Sequence, residues 1–266
     1  MSVVAGRRGS GLRRAAHRAD ARPIAKIAPW LLLGSFATLF WLERQRPLRR
    51  RVADQDQRLV ANVLVGTGGA LVVATIEEPV VRALAAAVER RRFGIVPLLG
   101  LRPAGERVAA LLLLDYTLYL WHVLLHRAPA LWRWHRVHHA DADLDVSTAL
   151  RFHAIEMLWS LPWRIAQVVL IGAGPATVDA WRRLTFAAVM FHHANLRLCA
   201  DVERRLGAVV VTPRLHGIHH SAVQAHQHGN YSSGLAIWDR LHGTARTDVP
   251  QETITIGLPA GDAERS

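Results

Sequence analysis

The chain has 266 residues, 51% of them hydrophobic, and a formal net charge of +12. One cysteine excludes an internal disulfide framework, and the chain shows neither a Gly-rich dinucleotide loop nor a long parallel-sheet pattern. The apolar composition and positive mean hydropathy predict an all-α integral membrane protein with one main domain.

The positive charge is concentrated around the first apolar run. Seven basic residues precede Ile27, and six more lie between Arg44 and Arg58. This distribution favours membrane topology over nucleic-acid binding, although two basic flanks leave the orientation of the first helix open. Residues 1–25 are predicted to form a basic disordered tail.

Three apolar runs, over 27–42, 59–76 and 108–125, approach the length of about 20 residues that crosses a bilayer. The region 26–105 is therefore predicted to contain N-terminal membrane helices and basic loops. Buried helices of a soluble protein are the alternative interpretation of these runs. A further apolar region over 155–191 is broken by Pro162, Gly172 and Pro175, which favours a short or partly re-entrant helical hairpin. The prediction is about four transmembrane or re-entrant helices.

Histidine is the most informative residue type. Twelve of the fifteen histidines lie between His122 and His226, and ten of these form short clusters: His122 and His126; His135, His138 and His139; His192 and His193; His216, His219 and His220.

Residues three or four apart share a helix face, so each cluster can converge on a metal ion. One turn with the pattern His-x2-His-His can present ligands to two adjacent metals. Neutral imidazole suits iron, zinc, copper or nickel. By contrast, His17, His228 and His242 are interpreted as solvated or structural.

The surrounding residues resemble the fatty acid hydroxylase/sterol desaturase superfamily of membrane-bound di-metal oxygenases. The resemblance covers roughly residues 110–245 and is carried by Asp115, Tyr116 and Tyr119 before the first histidine pair, and by the runs 131–139, 147–156, 192–196, 212–221, 230–231 and 235–244. Two positions depart from the family pattern: Ala194 stands where serine is frequent, and His242 where an aromatic residue is usual.

The resemblance implies a di-metal catalytic domain over 106–250. The composition of residues 251–266 predicts a polar C-terminal tail. It implies two iron ions, with zinc possible in purified protein, and dioxygen as cosubstrate. The implied ligands are His122, His126, His135, His138, His139, His193, His216, His219 and His220, with His192 and His153 as further candidates. No catalytic residue separate from the ligands is predicted.

Ligating imidazoles need a partner on their second ring nitrogen. The candidates for this role are Asp115, Glu156, Asn195, Asn230 and Asp239. His153 can act either as a ligand or as a supporting group held by Glu156, which lies three residues further along the same helical face.

The predicted function is hydroxylation or desaturation of a C–H bond in a lipid, whether fatty acyl, sterol-like or another isoprenoid. The expected partners are a lipid substrate, the membrane and a separate electron-transfer protein of ferredoxin or cytochrome type, without nucleic acid. The resemblance implies a bacterial inner-membrane protein whose histidine-rich metal domain faces the cytoplasm, which would place the basic N-terminal tail on the opposite side. A di-zinc hydrolase, a non-enzymatic metal-binding membrane protein and a haem-binding electron carrier are the alternatives.

Overall fold

The computed structural model of the protein describes residue 27 and residues 29–258. The predicted tail over 1–25 and the end of the predicted tail over 251–266 lie outside these residues. The chain divides into two compact units, one ending at Thr38 and the other beginning at Leu39. In the first unit the described residues from 29 onwards are helical (α1), and the second unit begins with helical residues 39–45.

The regular elements in the rest of the described chain are also helical, and its only β-structure is three isolated bridges. The long helices are α2 (Gln55–Val72), continued by a π-helical turn (Val73–Glu77) and α3 (Glu78–Arg91), then α5 (Pro103–Arg127), α6 (Pro129–His139), α7 (Ala154–Ile171) and α8 (Pro175–His193). The short elements are α4 (Ile95–Leu98), a 3-10 turn (Val146–Leu150), α9 (Ala200–Gly207), α10 (Pro213–His219), α11 (Gln224–Gln227), α12 (Ile237–Leu241) and a second 3-10 turn (Gln251–Thr253).

Local sequence explains where several helices begin. Pro103, Pro129, Pro175 and Pro213 each occupy the first turn of a helix, where a missing N–H costs no hydrogen bond. The side chain of Asp54 caps α2 by accepting the backbone N–H of Gln57.

Three stretches are long and apolar enough to cross a membrane: Gln55–Leu98, Pro103–Arg127 and Ala154–Ile171. They contain the predicted runs 59–76 and 108–125 and the first half of the predicted hairpin. Helices α7 and α8 form that hairpin, turning at Gly172, which has a left-handed φ of 85°. The prediction of an all-α membrane protein is confirmed.

The apolar core lies between α3, α5, α7 and α8. Its buried residues are Val81, Ala85, Val96, Ala110, Leu114, Val168, Ile171, Ala173, Val178 and Trp181. Helices α2 and α3 both pack against α7, so the long N-terminal helical stretch and the later helices share this core.

Contacts between individual residues show the direction in which each helix runs. Helix α7 runs alongside the α2–α3 stretch in the same direction, because Ser160 is close to Glu77 and Gly172 is close to Gly94. Helix α5 runs the opposite way, with Thr117 next to Trp163 and Leu114 next to Gln167. The C-terminal ends of α5 and α8 therefore reach the same end of the bundle as the N-terminal end of α7. The clustered histidines lie at that end.

The described part of the C-terminal segment, residues 251–258, packs against neighbouring segments. Gln251 is buried and its Oε1 accepts from Arg49 Nη1 at 2.7 Å. The backbone N–H of Gly257 donates to His220 O, and Ala222 N donates to Thr255 O. As far as Gly257, this segment therefore lies against the loop that follows α10.

Candidate metal centre

The ten clustered histidines are all buried and come from four helices. His122 and His126 lie one turn apart near the end of α5, and His135, His138 and His139 form the last turn of α6. His192 and His193 end α8. His216 and His219 lie on α10, and His220 follows it directly. Four segments that are distant in sequence thus meet at one end of the bundle.

Nine of these imidazoles form two compact groups. The first consists of His122, His126, His135, His139 and His219, and the second of His138, His193, His216 and His220. Within each group, one nitrogen from every imidazole lies within 4.8 Å of the corresponding nitrogens of the others. The groups adjoin, because the rings of His139 and His220 are stacked with centroids 4.2 Å apart. These nine residues are the same nine that the family resemblance implies as ligands.

The turn at the end of α6 contributes to both groups. His135 and His139, four residues apart, point into the first group, whereas His138 belongs to the second. The α10 cluster divides in the reverse sense, since His219 joins the first group while His216 and His220 join the second. One helical turn therefore serves two adjacent positions, as the spacing predicts.

Backbone carbonyls fix the orientation of four imidazoles. The Nδ1 atoms of His122 and His219 lie 2.6 Å from Tyr231 O and 2.8 Å from Gly229 O. Those of His138 and His193 lie 3.1 Å from Arg151 O and 2.8 Å from Val189 O. A carbonyl oxygen only accepts, so each Nδ1 carries the proton and each Nε2 presents a lone pair.

These lone pairs point at one another. His122 Nε2 lies 3.1 Å from His219 Nε2, and His138 Nε2 lies 3.0 Å from His193 Nε2. Two acceptors this close repel each other unless a cation lies between them. Neither ring nitrogen of His139 or of His220 has a hydrogen-bond partner among the described residues, although buried polar atoms are normally paired. The donor set therefore fits two metal ions of the kind that neutral imidazole binds.

Burial keeps these imidazoles in the form that binds metal. Desolvation lowers the pKa of His219 to about 3. Desolvation, reinforced by neighbouring imidazoles, holds the pKa values of His139, His216 and His220 well below the ordinary histidine value. At neutral pH these rings are therefore uncharged.

A carboxylate completes the first group. Glu156 Oε1 lies 2.9 Å from His135 Nδ1, and both side chains are buried. Glu156 was predicted to support an imidazole, and it does contact one. The partner of Glu156 is His135 on α6. Glu156 does not pair with His153, because His153 precedes α7 and the Nδ1 atom of His153 accepts the backbone N–H of Ile155.

The two further histidine candidates lie outside both groups. His153 caps α7 and stacks on Trp134. His192 is buried, with its ring 4.0 Å from that of His216, and its Nδ1 has no partner among the described residues. His228 and His242 also lie outside the groups, next to Tyr231 and Tyr116, and His17 lies outside the described residues.

The other four predicted supporting residues contact no clustered imidazole in the described structure. Asp115 accepts from Leu235 N and Trp238 Nε1, and Asn195 bonds to the backbone of Arg49. Asn230 bonds to Leu215 O and Arg246 O. Asp239 accepts the N–H of Tyr231, whose carbonyl holds His122. They act by anchoring the backbone around the site.

A buried polar network beneath the second group has no signature in the sequence motifs. Arg58 on α2 donates to both oxygens of Asp141, at 2.6 and 2.8 Å, and to Asp145. Asp141 lies two residues beyond His139, so this ion pair fixes the exit of the α6 histidine turn against α2. Arg151 donates to Asn62 Oδ1 in the same network, and its carbonyl orients His138.

Fold and site together define an all-α membrane protein with a histidine-rich centre that can hold two metal ions. Residues 107–244, just over half of the chain, match the family model described as fatty acid hydroxylase. The chain belongs to this family, which confirms the resemblance.

Curated relatives agree with this assignment. The ornithine lipid hydroxylase OlsE of Rhizobium tropici is 33% identical over 156 residues, covering 58% of this chain and 46% of the relative. Cholesterol 25-hydroxylase of Homo sapiens is 29% identical over 146 residues, covering 52% and 50%. Alkylglycerol monooxygenase of Homo sapiens is 26% identical over 153 residues, covering 56% and 32%. The chain thus spans half or less of the length of these relatives. No solved structure matches the chain significantly.

Proposed function

We propose that this protein is a membrane-bound non-haem di-iron oxygenase that hydroxylates a C–H bond of a lipid. It uses dioxygen and electrons from a separate carrier protein. One oxygen atom of O2 enters the new C–O bond, and the other leaves as water after uptake of two electrons and two protons.

One observation carries the proposal. Two adjacent groups contain five and four imidazoles, and within each group two Nε2 lone pairs point at each other across about 3 Å. A single closed structural zinc site uses four ligands, frequently including cysteine, and would leave five of these nine imidazoles without a metal to bind. Soluble di-iron enzymes instead use glutamates with Glu-x-x-His pairs, so the all-imidazole set here is of a different kind.

Iron, when bound, would supply the activation of dioxygen for attack on an unactivated C–H bond. The chain would supply the ligands, the neutral state of the imidazoles and their fixed orientation. His122, His126, His135, His139 and His219 would hold one ion, and His138, His193, His216 and His220 the other. Glu156 would raise the basicity of His135 as a ligand.

The relatives favour hydroxylation over desaturation, since their names specify hydroxylases and monooxygenases. Their named substrates differ: an ornithine lipid, an alkylglycerol and cholesterol. Lipid is therefore the substrate class we propose. An ornithine lipid is the first compound to screen, because that relative has the highest identity of the three.

We further propose that the centre faces the cytoplasm of a bacterial inner membrane, where a ferredoxin- or cytochrome-type carrier can reach it. The lipid would arrive laterally from the bilayer. Support comes from the location of the histidines at one common end of the helices. In the basic segment between Arg44 and Arg58, Arg49 contacts Pro213 next to the α10 histidines, and Arg58 contacts Asp141 beyond His139.

Metal content is the first test, measured by mass spectrometry on detergent-purified protein from iron-replete cells. We expect two iron ions per chain, one for each imidazole group. His219→Ala should lose the metal of the first group and His138→Ala that of the second, whereas His153→Ala, which alters a histidine outside both groups, should keep both ions. Tightly bound zinc with no uptake of iron would favour a di-zinc hydrolase, and folded protein without metal would refute the metal centre.

Activity is the second test. The iron-loaded protein is supplied with a reductant, isotopically heavy dioxygen and a candidate lipid. A hydroxylated product carrying one heavy oxygen atom supports the proposal. A double bond without heavy oxygen would identify a desaturase, and lipid cleavage without oxygen consumption a hydrolase.

A further inference from the structure

Helices α9 and α12 expose a row of large apolar side chains outside the metal centre. Val202 and Leu206 lie one turn apart on α9, and Ile237 and Leu241 one turn apart on α12. Val209 lies between the helices and is 57% exposed, while Leu241 is 67% exposed. Single exposed apolar residues are ordinary, but contiguous ones mark an interaction surface.

The two helices belong to one structural unit, which we call the α9–α12 segment (residues 200–211 and 234–244). The N–H of Val211 donates to Gly234 O, and the N–H of Ala236 donates to Val209 O. The guanidinium of Arg240 on α12 donates to the carbonyls of Gly207 and Ala208 at the end of α9. The apolar side chains of both helices are thus held by one framework.

This segment is attached to the middle of a membrane helix. Asp115 Oδ2 accepts from Trp238 Nε1 at 2.7 Å and from Leu235 N at 3.1 Å, and the ring of Tyr116 lies 5.0 Å from that of Trp238. Asp115 is the central residue of α5, Pro103–Arg127, roughly 18 Å from either end at 1.5 Å per residue. Since α5 is long and apolar enough to cross the membrane, a segment bonded to its midpoint lies within the depth of the bilayer.

The backbone of the segment suits a lipid environment. Within hydrocarbon, N–H and C=O groups must find partners inside the protein. Leu235 N uses the Asp115 carboxylate, Gly243 N and Thr244 N use the carbonyls of Arg240 and Asp239, and Arg240 satisfies the two carbonyls that end α9.

We propose that the α9–α12 segment is re-entrant and that its outer face contacts the acyl chains of the leaflet that holds the histidine centre. Helix α12 lies deeper, because it is bonded to Asp115. Helix α9 lies near the headgroups, because Arg204 and Arg205 adjoin its apolar face and long basic side chains can reach the polar interface. This inference concerns membrane placement and stands independently of the reaction.

Site-directed spin labelling tests the proposal. The chain has one cysteine, the exposed Cys199, so a Cys199→Ser background accepts single labelling positions. Labels are introduced by Leu241→Cys on α12 and Leu206→Cys on α9. Leu112→Cys, on an exposed apolar position of α5, is the matched lipid control, and Asp201→Cys, on the polar side of α9, is the water control. The full chain is reconstituted in phosphatidylcholine–phosphatidylglycerol nanodiscs.

Accessibility to oxygen, which concentrates in the bilayer, is compared with accessibility to a water-soluble nickel chelate. We expect oxygen accessibility to exceed nickel accessibility for the labels at 241 and 206, as for the lipid control at 112. The label at 206 should be more accessible to nickel than the label at 241, which moves it toward the water control at 201. A nickel-dominated ratio at 241 would overturn the proposal, and so would one at 112, because α5 would then not cross the bilayer. Shielding of 241 from both reagents would also overturn it, by showing a protein partner or a second copy on this face.

Discussion

At the scale of single residues, the Glu156–His135 contact gives the most direct test of how the centre is supported. Glu156→Gln keeps the size of the side chain but replaces the carboxylate 2.9 Å from His135 Nδ1 with a neutral amide. We expect roughly a 10- to 100-fold loss of metal affinity or activity, the usual effect of removing a group that orients a ligating histidine. Metal titration of the purified protein measures it.

A second buried carboxylate provides the control. Asp115→Asn alters a carboxylate that contacts Trp238 and Leu235 but no clustered imidazole, so metal affinity should remain near that of the unmodified protein. Equal affinities for the Glu156→Gln variant and the unmodified protein would contradict the assigned role of Glu156.

Arg58 tests the polar network below the second group. Its side chain is buried between Asp141 and Asp145. Arg58→Met leaves both carboxylates buried without their cation, which costs about 3–5 kcal/mol of the free energy of unfolding. Arg82→Met is the matched control, because the ion pairs of Arg82 with Asp179 and Glu78 are exposed and each is worth only about 0–1 kcal/mol. Denaturant unfolding in mild detergent measures the free energy of unfolding of both variants. Equal losses of stability in the two variants would contradict the structural role assigned to the buried Arg58 ion pairs.

At the scale of elements, the contact between α2 and the segment before α7 depends on two glycines. A Cβ at Gly69 would collide with the carbonyl oxygen of Phe152, and one at Gly66 with that of Leu150. Phe152 stacks on the ring of His138 with centroids 4.6 Å apart. We expect Gly69→Ala and Gly66→Ala to lower the melting temperature and to reduce metal retention in the second group.

Gly68 on the same helix offers the matched control. A Cβ there meets only Ala154 Cβ at 3.6 Å, an ordinary contact, and alanine favours a helix over glycine by about 1 kcal/mol. Gly68→Ala should therefore leave the melting temperature unchanged or raise it. Equal destabilisation by all three substitutions would show that helix packing is not the cause.

Contacts between residues that are close along the chain can be predicted from the sequence. Contacts between residues that are distant along the chain cannot. Helix geometry lets His135 share a face with either His138 or His139, so the spacing predicts that this turn serves two adjacent positions. The spacing leaves open which of the two joins His135, and the structure groups it with His139. The pairing of Glu156 with His135 joins two helices, so the spacing of Glu156 and His153 along the sequence does not indicate it. The carbonyls of Tyr231, Gly229 and Arg151 that orient imidazoles carry no residue-type signal, because every residue has one.

At the scale of the whole molecule, the buried imidazoles couple folding to pH. Unfolded histidine has a pKa of about 6.5, whereas burial lowers that of His219 to about 3 and those of His139, His216 and His220 well below the ordinary value. Below about pH 6.5 the unfolded chain therefore binds more protons than the folded one. Each such group then removes stability at up to about 1.4 kcal/mol per pH unit until the folded pKa is reached.

Glu43 acts in the opposite direction, because burial raises its pKa to about 7 and the folded state gains its proton first as the pH falls. Because four imidazoles remove stability as the pH falls and this one carboxyl group adds it, the net effect is a loss of stability. We expect the melting temperature of the metal-free protein to fall steadily as the pH is lowered from about 7 to 5.

Bound metal should raise the melting temperature at neutral pH, because binding to a preformed site stabilises the fold. This difference should shrink toward acid pH as protons displace the ion. Calorimetry of both forms across this range measures it, and a metal-free melting temperature independent of pH would mean that the imidazoles are not buried in the neutral form.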